Sequence, residues 1–280
     1  MPVRHAPGSA TSFDAQAAEF ERRVGLPEAA CRAAAASALE LGGVRPRELL
    51  VEIGAGTGLI GRRFLEYPVR YLGVDLSRGM LEVFRRRAAP LGAGAPSRAA
   101  LVQADAGSPW PLPDGAARAV FSSRAIHLLP PEAVAEEVFR VGAADGAACV
   151  LGWVERRPES VKARMSREMQ RRVRARGFHP RAAGGRGVIE ACRRRGAEEL
   201  PRTVAARWPA RHTPRQALDD WRSKEGLGGT VLPPGVQEEV LNELEAWAAE
   251  VFGGLDAAME TEESYVLEGV RWGTEPSDEG

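Results

Sequence analysis

The run Val51-Glu52-Ile53-Gly54-Ala55-Gly56-Thr57-Gly58-Leu59-Ile60-Gly61 holds residues whose types and spacing limit the chemistry they could do. Alternating glycines let the backbone turn tightly and leave no side chain between the chain and a bound nucleotide. The acid Glu52 stands before the first glycine. A loop built for pyrophosphate would not favour a carboxylate there, whereas a loop facing the cationic amino-acid end of a ligand could. Asp75 closes the next apolar run, Tyr71-Leu72-Gly73-Val74-Asp75, where one carboxylate can accept both hydroxyls of a ribose. The same stretch is formally G-x-G-x-x-G through Gly56, Gly58 and Gly61, with Asp75 at about the distance of a dinucleotide-binding ribose acid. An NAD(P)-dependent oxidoreductase would also need hydride-transfer machinery, and there is no Tyr-x-x-x-Lys. The only lysines are Lys162 and Lys224, and the only tyrosines are Tyr67, Tyr71 and Tyr265.

The loop resembles E/D-x-G-x-G-x-G, the first motif of class I S-adenosylmethionine-dependent methyltransferases. Three further features follow in that family's order: the acid Asp75, the acid in Leu101-Val102-Gln103-Ala104-Asp105-Ala106, and the strand Ala119-Val120-Phe121-Ser122-Ser123. The likeness, to the small-molecule (UbiE-like or type 11) branch, covers about the first 155 residues. It implies S-adenosylmethionine as cofactor, S-adenosylhomocysteine as product, and no metal. The cofactor-binding residues it implies are Glu52, Gly54, Ala55, Gly56, Gly58, Asp75, Leu76, Met80, Asp105, Ala106 and Ser122. In the family, the acid at Asp105 takes the adenine amine and the residue at Ala106 packs on the ring.

Methyl transfer from a sulfonium is an in-line displacement, so much of the protein's work is positioning the acceptor and excluding water. His127, just beyond the fourth strand, is the best-placed histidine for base catalysis or acceptor contact, or else a helix-start residue bonded to backbone. Arg124 could meet an anionic acceptor or lie exposed. Trp110 could flank the pocket or simply pack. Phe13 and Phe20 share one face of a short helix from Phe13 to Val24 and are candidates for a lid. His5, His179 and His212 read as structural or exposed, and Trp153 and Trp221 as packing.

These residues need a scaffold. Strands at Leu49–Ile53, Tyr71–Asp75, Leu101–Asp105, Ala119–Ser123 and Ala147–Val154 alternate with helices, and Ser77 can cap the helix carrying Met80, Leu81, Val83 and Phe84. The expected fold is α/β, a doubly wound Rossmann-like, mainly parallel, seven-stranded sheet with an added helical cap. Its parts are N-terminal helices over 1–47, a cofactor-binding core over 48–157, cap segments over 158–200 and 213–259, last strands over 201–212 and 260–272, and a disordered tail over 273–280. Helices are expected at Glu28–Leu41, 158–176, Val188–Arg195, Pro214–Trp221 and Val236–Met259. The last strands are expected at Thr203–Trp208 and Ser264–Trp272.

Lys and Arg total 38 and so do Asp and Glu over 280 residues, so the overall field argues for neither nucleic acid nor membrane. Charge is nevertheless segregated. Residues 155–195 carry 14 Lys/Arg and 4 Asp/Glu, an excess of +10; residues 225–280 carry 1 and 14, or −13. The basic stretch, 156–195, could mark an RNA methyltransferase, but its basic helix lacks interleaved aromatics for base stacking, and no base-amine motif follows the fourth strand. A solvated face, or two opposed cap segments, explains it better. Cys31, Cys149 and Cys192 show no C-x-x-C spacing, which fits a reducing cytoplasm, and no apolar run is long enough for a membrane span. The expectation is a cytoplasmic enzyme with a small-molecule acceptor; a binding protein without turnover is the further alternative.

Overall fold

The computed structural model describes residues 26–89, 98–107, 109–179, 185–224 and 226–273. The expected Phe13–Val24 helix, with Phe13 and Phe20, and nearly all of the 273–280 tail lie outside these. Two compact units divide the chain: the described residues of Met1–Trp153, Gly184–Ala206 and Tyr265–Gly280, and those of Val154–Ala183 and Arg207–Ser264.

The first unit is built on an α/β sheet. Helix α1 (Glu28–Leu41) is alanine-rich and buries Ala34, Ala35 and Ala38. Strand β1 (Leu49–Ile53) pairs in parallel with β2 (Arg70–Asp75) on one side and β4 (Ala119–Ser123) on the other. Beyond these lie β3 (Ala99–Gln103) on β2 and β5 (Ala147–Arg156) on β4, both parallel. β1 and β4 are almost wholly buried, which is why both are mainly apolar, with Glu52, Ser122 and Ser123 as the polar exceptions. The single-turn α2 (Gly61–Phe64) follows the glycine loop. Then α3 (Arg78–Ala88) begins at Ser77, whose hydroxyl accepts the Met80 N–H at 3.1 Å. Helix α4 (Pro131–Val141) opens on a proline, whose missing N–H costs nothing at a helix start.

The strand order is β3-β2-β1-β4-β5-β8-β6, with β6 (Glu198–Glu199) antiparallel to β8 (Met259–Trp272), and β7 (Thr203–His212) also on β8. Eight strands therefore replace the expected seven. The addition is the two-residue β6: Leu200 donates to Gly269, and then Pro201, having no N–H, precedes the start of β7. Helix α6 (Arg186–Arg194) corrects the expected boundary of the cap. Its Val188, Ile189, Ala191 and Cys192 join Val51, Val120, Val138 and Leu151 in the core of the first unit, so 184–200 is not cap.

The second unit has its own core. Helices α5 (Val161–Ala175), α7 (Pro214–Arg222) and α8 (Pro234–Phe252) bring together Met165, Met169, Leu218, Val240, Leu241 and Leu244. α7 starts in a capping box, Thr213 accepting from Gln216 N–H and the Gln216 side chain accepting from Thr213 N–H. α8 stops at Phe252, short of the expected Met259, because Gly253 takes a left-handed φ of 71° and closes the helix. Met259 belongs instead to β8.

Candidate functional site

The glycine loop lies at the carboxyl ends of the parallel strands. The Gly54 and Ala55 N–H groups donate to the Val74 carbonyl at 2.8 and 3.1 Å, binding the loop to the end of β2. The Asp75 carboxylate organises it further, accepting Gly56 N–H on Oδ2 at 2.8 Å and Ser77 N–H on Oδ1 at 2.9 Å. Gly54, Gly56 and Gly58 all have positive φ, 75°, 53° and 75°, a region costly for residues with a Cβ. At Gly54 a Cβ would also lie 2.1 Å from Cβ of Ala125, and at Gly58 2.4 Å from the Phe84 ring. At Gly56 the nearest atom would be 3.9 Å away. The outer two glycines are thus packed against protein while the middle one borders open space, a cradle a nucleotide could enter. With Asp75 behind it, this arrangement of backbone N–H groups and one carboxylate fits a ribose-bearing ligand.

Other expected residues sit nearby. Asp105 is exposed beyond β3, its Oδ1 accepting Gly107 N–H at 2.8 Å, and Leu76 is partly exposed after β2. Ala106 is half-buried, and its carbonyl accepts the Trp110 indole N–H at 3.1 Å. Trp110 itself is buried in the core, so it anchors Ala106 rather than forming an open wall. His127 occupies a 3-10 turn (Ile126–Leu128), half-buried, and Arg124 is exposed with φ 63°. A left-handed non-glycine residue at the end of a strand is strained backbone, held by the elbow that brings Ala125 against Gly54.

Four expected residues lie elsewhere. Glu52, only 3% exposed, turns inward: the Tyr71 hydroxyl donates to its Oε2, and a Cβ on Gly61 would come within 2.4 Å of that oxygen. It does not face the cationic end of a ligand. Burial raises its pKa to about 8, with Asp75 adding to the rise and the Tyr71 hydrogen bond opposing it. Ser122 is buried and donates to the Ile53 carbonyl at 2.8 Å, tying β4 to β1. Met80 and Ala55 are buried too, Met80 on the packed side of α3. Strand alternation explains the inward pair, since successive residues point to opposite faces and both faces of this sheet are covered.

One pair was absent from the sequence reading. Tyr265 of β8, fully buried, donates to Ser123 Oγ at 2.7 Å. They are 142 positions apart, and no local pattern joins them. Among the described residues, no group of three or more His, Cys, Asp or Glu could hold a metal ion, and no helix is long and apolar enough to cross a membrane.

Comparison with known proteins agrees with this geometry. Residues 50–146 match the family model described as a methyltransferase domain. The protein BH2331 of Bacillus halodurans is similar in structure at 18% identity, with 86% of this chain and 99% of that one covered and a TM-score of 0.56. A geranyl diphosphate methyltransferase solved in complex with S-adenosylmethionine shows 17% identity, coverage of 95% and 92%, and a TM-score of 0.50. The cyclase SpnF shows 16% identity, coverage of 87% and 82%, and a TM-score of 0.54. At such identities these likenesses establish the fold. No protein of curated function matches the chain. The matched segment holds the glycine loop, Asp75, Asp105 and the β4 elbow, and it is a methyltransferase domain of the class I fold, with S-adenosylmethionine as its cofactor.

Proposed function

We propose that the chain methylates a small organic acceptor, with the cofactor held by Gly54, Gly56, Gly58, Asp75, Leu76, Asp105 and Ala106. The observation that carries the assignment is Gly56, positioned by Asp75 through its N–H and bordering open space where a side chain would intrude. The bound cofactor supplies an already activated methyl group. The chain's part is then to hold ribose hydroxyls on Asp75, keep water out and place the acceptor. Arg124 is assigned to an anionic group of the acceptor, and a His127 ring nitrogen to its departing proton. A geranyl diphosphate methyltransferase of this fold supports a small acceptor, although SpnF, a cyclase, warns that the fold alone does not fix the reaction. A UbiE-like affiliation and a reducing cytoplasm, where buried Cys31, Cys149 and Cys192 stay as thiols, complete the proposal.

Two other readings lose ground. Each arginine from Arg164 to Arg176 already has a partner within the second unit: Arg164 lies over the Phe252 ring, Arg167 donates to Pro158 and Arg171 pairs with Glu168. Arg172 pairs with Glu168 and Glu243, Arg174 donates to Gln170, and Arg176 pairs with Glu243. That is poor material for a phosphate track. The antiparallel β8 between β5 and β6 departs from the 3-2-1-4-5-6 order of dinucleotide-binding sheets. Calorimetric titration with S-adenosylhomocysteine and with NADPH tests the assignment: the first binds and the second does not, and the opposite outcome refutes it. Screening acceptors with methyl-labelled cofactor then tests His127. As the base, His127→Ala lowers turnover by roughly two to four orders of magnitude at unchanged cofactor affinity; a loss of only a fewfold makes it a positioning residue.

A further inference from the structure

We infer that Ser123 binds the carboxylate of the cofactor's methionine portion and that Tyr265 orients it for this role; the inference rests on the Gly54–Gly58 loop being the cofactor site. Glu52 is turned inward, and the Ser122 hydroxyl is engaged by the Ile53 carbonyl. The polar hydroxyl left at the end of β4 is Ser123. It lies two residues before Ala125, whose Cβ is the atom that a side chain on Gly54 would strike. The elbow therefore holds Ser123 beside the first glycine of the loop.

Three strands cooperate to set its hydroxyl. Ser123 of β4 is in register with Gly152 of β5. A Cβ on Gly152 would lie 2.2 Å from the Tyr265 hydroxyl, so only glycine lets the Tyr265 side chain of β8 cross to Ser123. Tyr265 donates to Ser123 Oγ, and among the described residues no protein acceptor takes the Ser123 hydroxyl hydrogen. With Oγ occupied as an acceptor, the group is biased to donate outward. A donor beside the positively charged Arg124 suits a carboxylate, not an ammonium.

The test compares S-adenosylhomocysteine with 5′-methylthioadenosine, which lacks the amino-acid end, by calorimetry and displacement. Ser123→Ala weakens S-adenosylhomocysteine by roughly tenfold, the scale of a hydrogen bond to a charged group, and leaves methylthioadenosine unchanged. Ser123→Thr, which keeps a hydroxyl, retains most of the affinity. Tyr265→Phe loses a fewfold on S-adenosylhomocysteine alone, and the double variant binds no worse than Ser123→Ala, because both changes remove one unit. Equal losses on both ligands, or no loss in Ser123→Ala, overturn the inference. Should the wild-type protein bind neither ligand, the cofactor site itself is misassigned, and this inference falls with it.

Discussion

The glycine loop of the first unit and the charged helices of the second solve different problems with different residues. Around Gly54–Gly58 the ordering groups are backbone amides, a single aspartate and three glycines held at positive φ. In α5 and α8 the order comes from an apolar stripe, Met165, Met169, Val240 and Leu244, with arginines and glutamates paired above it. The loop leaves room for a ligand, and the helices fill theirs. Segregated charge along a sequence can therefore mark self-pairing, and a near-neutral glycine run can mark the site.

The contrast can be broken by substitution. Gly54→Ala combines a left-handed φ with a 2.1 Å contact to Ala125, so it should cost about 2–5 kcal/mol and abolish S-adenosylhomocysteine binding. Thermal unfolding and titration would show both effects. Leu244→Ala, in the second core, should cost about 2–5 kcal/mol as well but leave that affinity unchanged. A large affinity loss there would deny the separation of roles. A smaller effect is expected from Arg172→Ala, which removes ion pairs whose members are partly exposed, on the order of 1 kcal/mol or less and reduced by salt.

A separate test uses pH. Glu52 has a folded-state pKa raised to about 8, so the fold favours its protonated form. The stability this contributes is fully present below the ordinary carboxylate pKa and is lost as pH rises through about 8. Denaturant midpoints of the wild type should fall more steeply than those of Glu52→Gln between about pH 5 and pH 9. Parallel curves would mean that Glu52 is ionised in the fold. Glu263 behaves oppositely. Burial alone would raise it, but the His212 hydrogen bond and the charges of Arg156 and Lys162 outweigh burial and hold it at about 2, so its contribution is present above the ordinary carboxylate pKa and is lost as pH falls from there through about 2.

Much of this was legible in the residues. The loop, the strand that ends at Asp75 and the Ser77 cap are local patterns, because turn and cap chemistry act within a few positions. What escaped was non-local or ambiguous. Nothing in β1 says which face Glu52 takes; that depends on Tyr71 and on the space left by Gly61. Glu198 and Glu199 carry no apolar signature, yet they pair with Val270 and Arg271 at the sheet edge, where acids are tolerated. The α8 periodicity ran on to Met259, although Gly253 and Gly254 marked its end. The bond between Tyr265 and Ser123 exists only through the sheet order.

The central claim is that the Gly54–Gly58 loop with Asp75 forms the cofactor site. Calorimetric titration of wild type and Asp75→Ala with S-adenosylhomocysteine, alongside far-UV circular dichroism, tests it most directly. Loss of charge-assisted hydrogen bonds at about 1.5–3 kcal/mol each should weaken the variant by tenfold or more, with the same spectrum. Unchanged affinity in a folded Asp75→Ala protein would remove Asp75 from the site and contradict the account.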